Sequence, residues 1–309
     1  MEGRLSSPLS APPGALALGA LAVALWSGST VAEKVLLGRL PPVSLLAWQL
    51  GVSVAGLWGA LLVGRRLPPG RPGWWRLGWP GLVQPGLANL LLLLGLSLTS
   101  ANTFSLLNSC ETVFGLIFAR ALLGERVGRW VAVLAGLATL GVMLVALGDP
   151  AVGGTNTWSG VALVLGGTVF ASLYGVVSRP AAAAPETHPL LLTALHQTLG
   201  LAVVLSAWGV ALGHGEGAAL RGVGPSTWAW AALAGVFQYA VPFWLFLLAL
   251  RRLSASAVSL LFTLGPVLVV ALAFLVLGEW LSPLQWGGAA LTLASLTLIA
   301  AWTGRASSG

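Results

Sequence analysis

Charge is scarce in this chain: only 7% of its 309 residues are Asp, Glu, Lys or Arg, and just eight are acidic. Solvent-facing surfaces are built largely from such residues. A sequence that is 57% hydrophobic, with a mean hydropathy of +0.92, cannot clothe a water-soluble globule. Cysteine is rarer still, and a single thiol, Cys110, excludes both an intrachain disulfide and a thiolate metal cluster. The three His and the few acids show no metal-ligand spacing and no Walker-type phosphate loop is present, so no metal, cofactor or ATP drive is expected. Catalytic machinery is equally thin. An intramembrane enzyme needs a nucleophile, a base and converging donors, and the apolar segments offer only Glu111 and His196, so no catalytic residue is assigned and no enzyme is expected. The formal charge of +7 comes without a basic stripe of interleaved aromatics, which argues against nucleic acid as a partner.

Long apolar runs are what the chain does have. They lie at Gly14 to Ala32, Pro42 to Val63, Leu77 to Leu98, Ala101 to Ala121, Trp130 to Leu147, Trp158 to Val177, Pro189 to Leu212, Trp228 to Leu250, Ala255 to Leu277 and Leu284 to Trp302. A bilayer core is crossed by about 20 residues of helix but only about 10 of barrel strand, and lipid offers no partner for free backbone groups, so all ten are read as helices. The expected fold is all-α integral membrane. Gly14 to Ser29 is expected to be the first helix, not a cleaved signal, because losing it would leave unequal halves. With a cytoplasmic N-terminus, twelve of the fifteen basic residues fall inside and only Lys34, Arg39 and Arg221 outside. Both termini are therefore expected in the cytoplasm, with the protein in the plasma (inner) membrane and its Arg-rich loops beside an anionic leaflet. Trp75, Trp130, Trp158 and Trp280 typify the ten of 15 Trp that fall near span ends, as interfacial belt residues do.

One segment is written twice. Ser100-Ala101, Ser105-Leu106-Leu107 and Leu123-Gly124-Glu125 recur as Ser254-Ala255, Ser259-Leu260-Leu261 and Leu277-Gly278-Glu279, at the constant offset of 154 that separates Leu107 from Leu261. Gly81 and Gln84 recur as Gly235 and Gln238 at the same offset. Five spans per half is an odd number, so the halves, 14–148 and 158–303, are expected to be inverted repeats. Such halves exchange conformations around a midplane site, which is alternating access and points to a transporter. One buried acid and no ring of pore-lining charge favour a carrier over a channel.

These residues resemble the EamA-type branch of the drug/metabolite transporter superfamily over nearly the whole chain. Its fourth and ninth spans begin with small residues, carry a central Glu-Pro or Pro, and end in Leu-Gly-Glu. Here they read Ser100-Ala101-Asn102, Glu111-Thr112 and Leu123-Gly124-Glu125, then Ser254-Ala255-Ser256, Gly265-Pro266 and Leu277-Gly278-Glu279. Thr112 stands where the family commonly has Pro, which removes the usual cause of a kink in span 4. The resemblance implies secondary export of amino acids, amines or other small metabolites, with protons as a candidate coupling partner and a monomer or homodimer as the assembly. Uptake or exchange of related solutes, sugar nucleotides included, is the alternative.

Candidate site residues are the polar and aromatic members of the spans. Glu111 is the carboxylate read as deep inside a span, at a cost of about 2.5 to 3.5 kcal/mol, so it must face protein or a wet cavity. It is read either as an anchor for a substrate amine or proton site, or as a packing hydrogen bond. Asn108 shares its face, with Asn102, Ser105, Ser109 and Thr112 adjoining. Gln84 and Gln238 form the repeat-related amide pair, and Asn89 adds a second polar point to span 3; each suits a ligand or an interhelical bond. Tyr239, Phe243 and Phe246 share one face of span 8, with Trp244 beside it, and Trp26, Ser29 and Tyr174 are comparable. Such rings bind flat substrates or cations, or simply pack. Pro85 and Pro242 mark expected bends. Gln49 and His196 hold matching places after Pro42 and Pro189, and His196 is read as a proton-relay member or a core residue. Glu125, Glu279 and Pro266 are assigned structural roles, the two carboxylates capping the helix that follows each.

Overall fold

The computed structural model describes residues 13–64, 73–124, 128–148, 156–184, 187–250 and 255–306, and every regular element among them is helical. In chain order these are α1 (Pro13–Leu37), α2 (Pro42–Val63), α3 (Trp74–Gly78), α4 (Ala88–Ser97), α5 (Ala101–Asn108), α6 (Glu111–Leu123), α7 (Arg129–Leu147) and α8 (Trp158–Val177). There follow α9 (Arg179–Ala183), α10 (Pro189–Ala211), α11 (Gly217–Ala219), α12 (Pro225–Gly235), α13 (Val241–Leu250), α14 (Ala255–Leu277) and α15 (Pro283–Ala306). π-Helical stretches at Leu82–Leu87, Leu212–Glu216 and Val236–Ala240 join their neighbours.

Six helices among the described residues are long and apolar enough to cross a bilayer: Gly14–Leu37, Pro42–Val63, Arg129–Leu147, Trp158–Val177, Pro189–Ala219 and Pro225–Ala249. Leu82–Ser97 and Leu264–Leu277 are shorter apolar helices. The exposed side of α7 carries Trp130, Val133, Leu137, Leu140, Met143 and Leu147 at helical spacing, a face made for hydrocarbon.

Local sequence sets the helix ends. Proline opens α2, α10 and α12, where its missing N–H costs nothing. Ser100 caps α5 by accepting from Thr103 N at 3.1 Å, and Thr157 caps α8 by accepting from Gly160 N at 3.0 Å. Ser282 and Gln285 close a reciprocal capping box at the start of α15: Gln285 N donates to Ser282 Oγ, and Ser282 N donates to Gln285 Oε1. Gly124 and Gly278, both at φ 67°, take the left-handed conformation after α6 and α14. That is the physical content of the twice-written Leu-Gly-Glu.

Helix α1 packs on α13 and α14, and α8 on α4 and α6. Helix α2 packs on α12 and its π stretch, while α10 packs on the π stretch before α4, and α7 on α15. Two crossings bring backbones together. A Cβ on Gly81 would lie 1.9 Å from the His196 carbonyl oxygen, and one on Gly235 would lie 2.7 Å from Gln49 Cα. No larger residue fits either place.

Two expectations need correction. α1 does not stop at Ala32 but continues to Leu37, because Glu33 and Lys34 both find protein partners and so do not mark a membrane edge. Span 4 is interrupted despite Thr112, at Ser109-Cys110 between α5 and α6. Ser109 Oγ donates to Leu106 O, and Cys110 N reaches back only three residues to Leu107 O, so side chain and tightened turn break the ladder without proline.

Candidate functional site

The helical run from Pro225 to Leu250 loses its regular ladder at Val236–Ala240, just before Pro242. Pro242 has no N–H, so the carbonyl of Gln238 loses its intrahelical donor. Trp26 Nε1 of α1 supplies one at 2.9 Å, and Gln197 Nε2 of α10 donates to the next carbonyl, Tyr239 O. The side chains of the same stretch reach α1. Tyr239 Oη donates to Glu33 Oε1 at 3.0 Å, and Gln238 Nε2 lies 3.4 Å from Glu33 Oε2. Glu33, only 3% exposed, is thus held by the second half of the chain. Its neighbour Lys34 turns away, donating to Thr99 O at 2.5 Å and Leu96 O at 3.0 Å.

Aromatic rings adjoin this carboxylate. Trp26 meets Phe243 edge-on at 5.2 Å between centroids, with Phe246 at 5.5 Å and Phe262 near-parallel at 6.1 Å. Tyr174 of α8 extends the cluster, 6.4 Å from Phe243 and 5.4 Å from the His196 ring. His196 Nε2 faces the carbonyl of Leu77 at 2.8 Å, which can only accept, so Nε2 carries the proton and Nδ1 accepts from Tyr174 Oη at 2.9 Å. Both nitrogens are occupied.

A second polar group surrounds the break in span 4. Thr168 Oγ1 of α8 donates to Asn108 Oδ1 and Ser172 Oγ, one turn on, donates to Glu111 O, each at 3.0 Å. Glu111 opens α6, so its half-buried carboxyl sits in the first turn, where the helix dipole favours negative charge. No hydrogen bond reaches that carboxyl among the described residues.

The sequence model of the EamA-like transporter family matches residues 13–147 and again residues 158–301. The chain belongs to the EamA-like transporter family. An uncharacterized transporter of Synechocystis sp. is 28% identical over 296 residues, which span 89% of this chain and 86% of that one. A solved crystal structure of 22% identity superposes with a TM-score of 0.63 over 94% of this chain and 98% of the other, a likeness of fold. The protein is a multi-pass membrane transporter, and family and relative alike point away from an enzyme.

Of the residues singled out in sequence, this EamA transporter brings together Trp26, Tyr174, His196, Gln238, Tyr239 and Phe243. Asn108 and Glu111 form the separate group against α8. Gln84 and Asn89 pair with each other at 3.4 Å. Ser29 is buried, and Trp244 is half-buried with no ring contact among the described residues. Pro266 lies inside α14, and the carbonyl before it, Gly265 O, accepts from Ser27 Oγ at 3.3 Å. Glu279 caps a helix, but not the next one: Ala101 N and Asn102 N of α5 donate to it at 3.0 and 2.9 Å, while α15 is capped by its own Ser282. Glu125, with Arg65, Arg66, Arg71, Arg126, Arg251 and Arg252, lies outside the described residues. The residue that sequence reading passed over is Glu33. The signal available was its spacing from Trp26, seven positions and so two turns along one face.

Proposed function

We propose that this transporter is a secondary-active carrier exporting a small organic metabolite of the amino-acid or amine class by alternating access. It crosses the plasma (inner) membrane ten times as two inverted five-helix repeats, 14–148 and 158–303, with both termini cytoplasmic. The observation that carries the reading is reciprocity of packing. Gly81 presses on α10 at His196 as Gly235 presses on α2 at Gln49, and the π stretches beginning at Leu82 and Val236 lie 154 positions apart, like the motifs. The pairs α1 with α13 and α14 mirror α8 with α4 and α6. Halves that grip each other through matching contacts can exchange roles, and the exchange moves a central site from one face to the other.

Glu111 is the proposed proton site, since its carboxyl is unpaired among the described residues and sits at a helix break. Reconstituted vesicles loaded with a labelled amino-acid and amine panel test both parts. Saturable flux accelerated by unlabelled solute on the opposite side is expected; flux that is linear in concentration and blind to counter-solute defeats the carrier reading. Glu111→Gln is expected to abolish uphill transport driven by a pH gradient while retaining counterflow, and full uphill transport by that variant removes the proton role.

A further inference from the structure

We propose that Glu33, Gln238 and the rings around Trp26 form a binding site for the ammonium group of an organic amine without a carboxylate. The proposal rests on the carrier reading for its cargo and narrows the cargo's class. Acceptors outnumber donors at this point in the protein. A carboxylate offers about four lone-pair sites, and among the described residues Glu33 receives only the Tyr239 hydroxyl and the longer Gln238 amide contact. Gln238 Oε1 is buried with no partner among the described residues. The nearest cation in sequence, Lys34, is committed to two carbonyls at the end of α4. A buried carboxylate, a spare amide oxygen and no protein cation among the described residues together call for a donor-rich positive group from outside.

The surroundings say what that group is attached to. Gln238 spans the site, its backbone carbonyl fixing the Trp26 indole and its amide reaching Glu33. Trp26, two turns from Glu33 on α1, is only half-buried, and Phe243, Phe246 and Phe262 stand around it. Ring faces attract cations and bury apolar bodies, so an ammonium at Glu33 places its hydrocarbon or aromatic portion against Trp26. A zwitterion fares worse. Its carboxylate would sit among acceptors, with no free basic side chain described near them to answer it.

The test is equilibrium binding of tritiated phenethylamine to the purified full chain in detergent, with phenylethanol and phenylalanine as competitors. Saturable binding of phenethylamine is expected, with both competitors weaker by at least about tenfold, the equivalent of one charge-assisted hydrogen bond. Glu33→Gln keeps an acceptor for Tyr239 and is expected to weaken phenethylamine by the same factor while leaving phenylethanol unchanged. If that variant fails to fold, Trp26→Leu, which leaves the carboxylate in place, is expected to cost phenethylamine about tenfold through the lost ring. No phenethylamine binding, equal binding of the alcohol, tighter binding of phenylalanine, or undiminished binding by the folded variant overturns the site. Because no gradient enters the measurement, amine binding without counterflow would sink the carrier reading alone, and counterflow of other solutes without amine binding would sink this site alone.

Discussion

Glu33 and Lys34 are adjacent in sequence and opposite in environment. About 100° of helix separates them, so one side chain enters the contact of α1 with the π stretch Val236–Ala240 while the other caps α4. Sequence reading ended the first span at Ala32, short of the pair, with Lys34 outside; their partners lie 62 to 206 positions away and leave no local trace. Hydrogen-bonding residues in spans were legible as candidates, their pairings were not. Gln49 shows the difference. It matches His196 in position, yet His196 has both nitrogens paired, whereas Gln49 is fully buried with neither amide atom paired among the described residues. An unsatisfied buried amide costs about 1 to 3 kcal/mol, and an apolar replacement of similar size removes that cost. Gln49→Leu is therefore expected to raise the thermal midpoint of the purified protein in detergent, against the usual direction for a core substitution. A lowered midpoint would show that the amide has a partner in the native protein.

At the scale of elements, ends were easier to foresee than interruptions. Pro42, Pro189, Ser100 and Gly278 act within one turn of themselves, so their helices begin or stop where the sequence says. The π stretch before Pro242 depends instead on distant donors, Trp26 and Gln197, and the break after Asn108, begun locally at Ser109 and Cys110, is flanked by bonds from Thr168 and Ser172 of α8. Apolar periodicity cannot announce a carbonyl satisfied by another helix. The glycines divide in the same way. Gly59 has open space where a Cβ would go, whereas Gly81 sits against the α10 backbone, which cannot yield as a side-chain tip can. Gly81→Ala is expected to abolish monodisperse, folded protein, while Gly59→Ala, a better helix former in an open place, is expected to match the parent or gain up to about 1 kcal/mol. Size-exclusion profiles and thermal midpoints of the two variants decide it; equal behaviour would mean that α10 and the π stretch before α4 do not cross so closely.

Across the whole molecule, acids of the second half hold helix N-termini of the first. Glu279 takes the first two amides of α5, and Glu216 takes Val43 N and Ser44 N of α2 together with the Ser44 hydroxyl. Asn156 and Gln285 add bonds to the α4–α5 connection and Thr103. In the proposed orientation all of these lie toward the outer face, so opening that face would require the release of the Glu279 and Glu216 contacts between the halves. The charge distribution behind the proposed orientation is read from the sequence; this latch is not, because Glu216 looks like an ordinary loop acid and Glu279 reads as a cap for the helix that follows it. A carboxylate at a partly buried helix N-terminus contributes up to about 2 kcal/mol, enough to shift a two-state balance by about fivefold to thirtyfold. Glu279→Gln keeps the shape and removes the charge, and is expected to shift the population toward outward opening. Asn102, 2% exposed at the latched end of α5, is a suitable reporter, and the lone thiol makes the background simple. In a Cys110→Ser chain carrying Asn102→Cys, impermeant maleimide applied from outside is expected to label at least about fivefold faster once Glu279→Gln is added. An unchanged rate would mean that the carboxylate only caps α5, and the barrier on that face would have to lie with Glu216 or with the packing of α7 on α15.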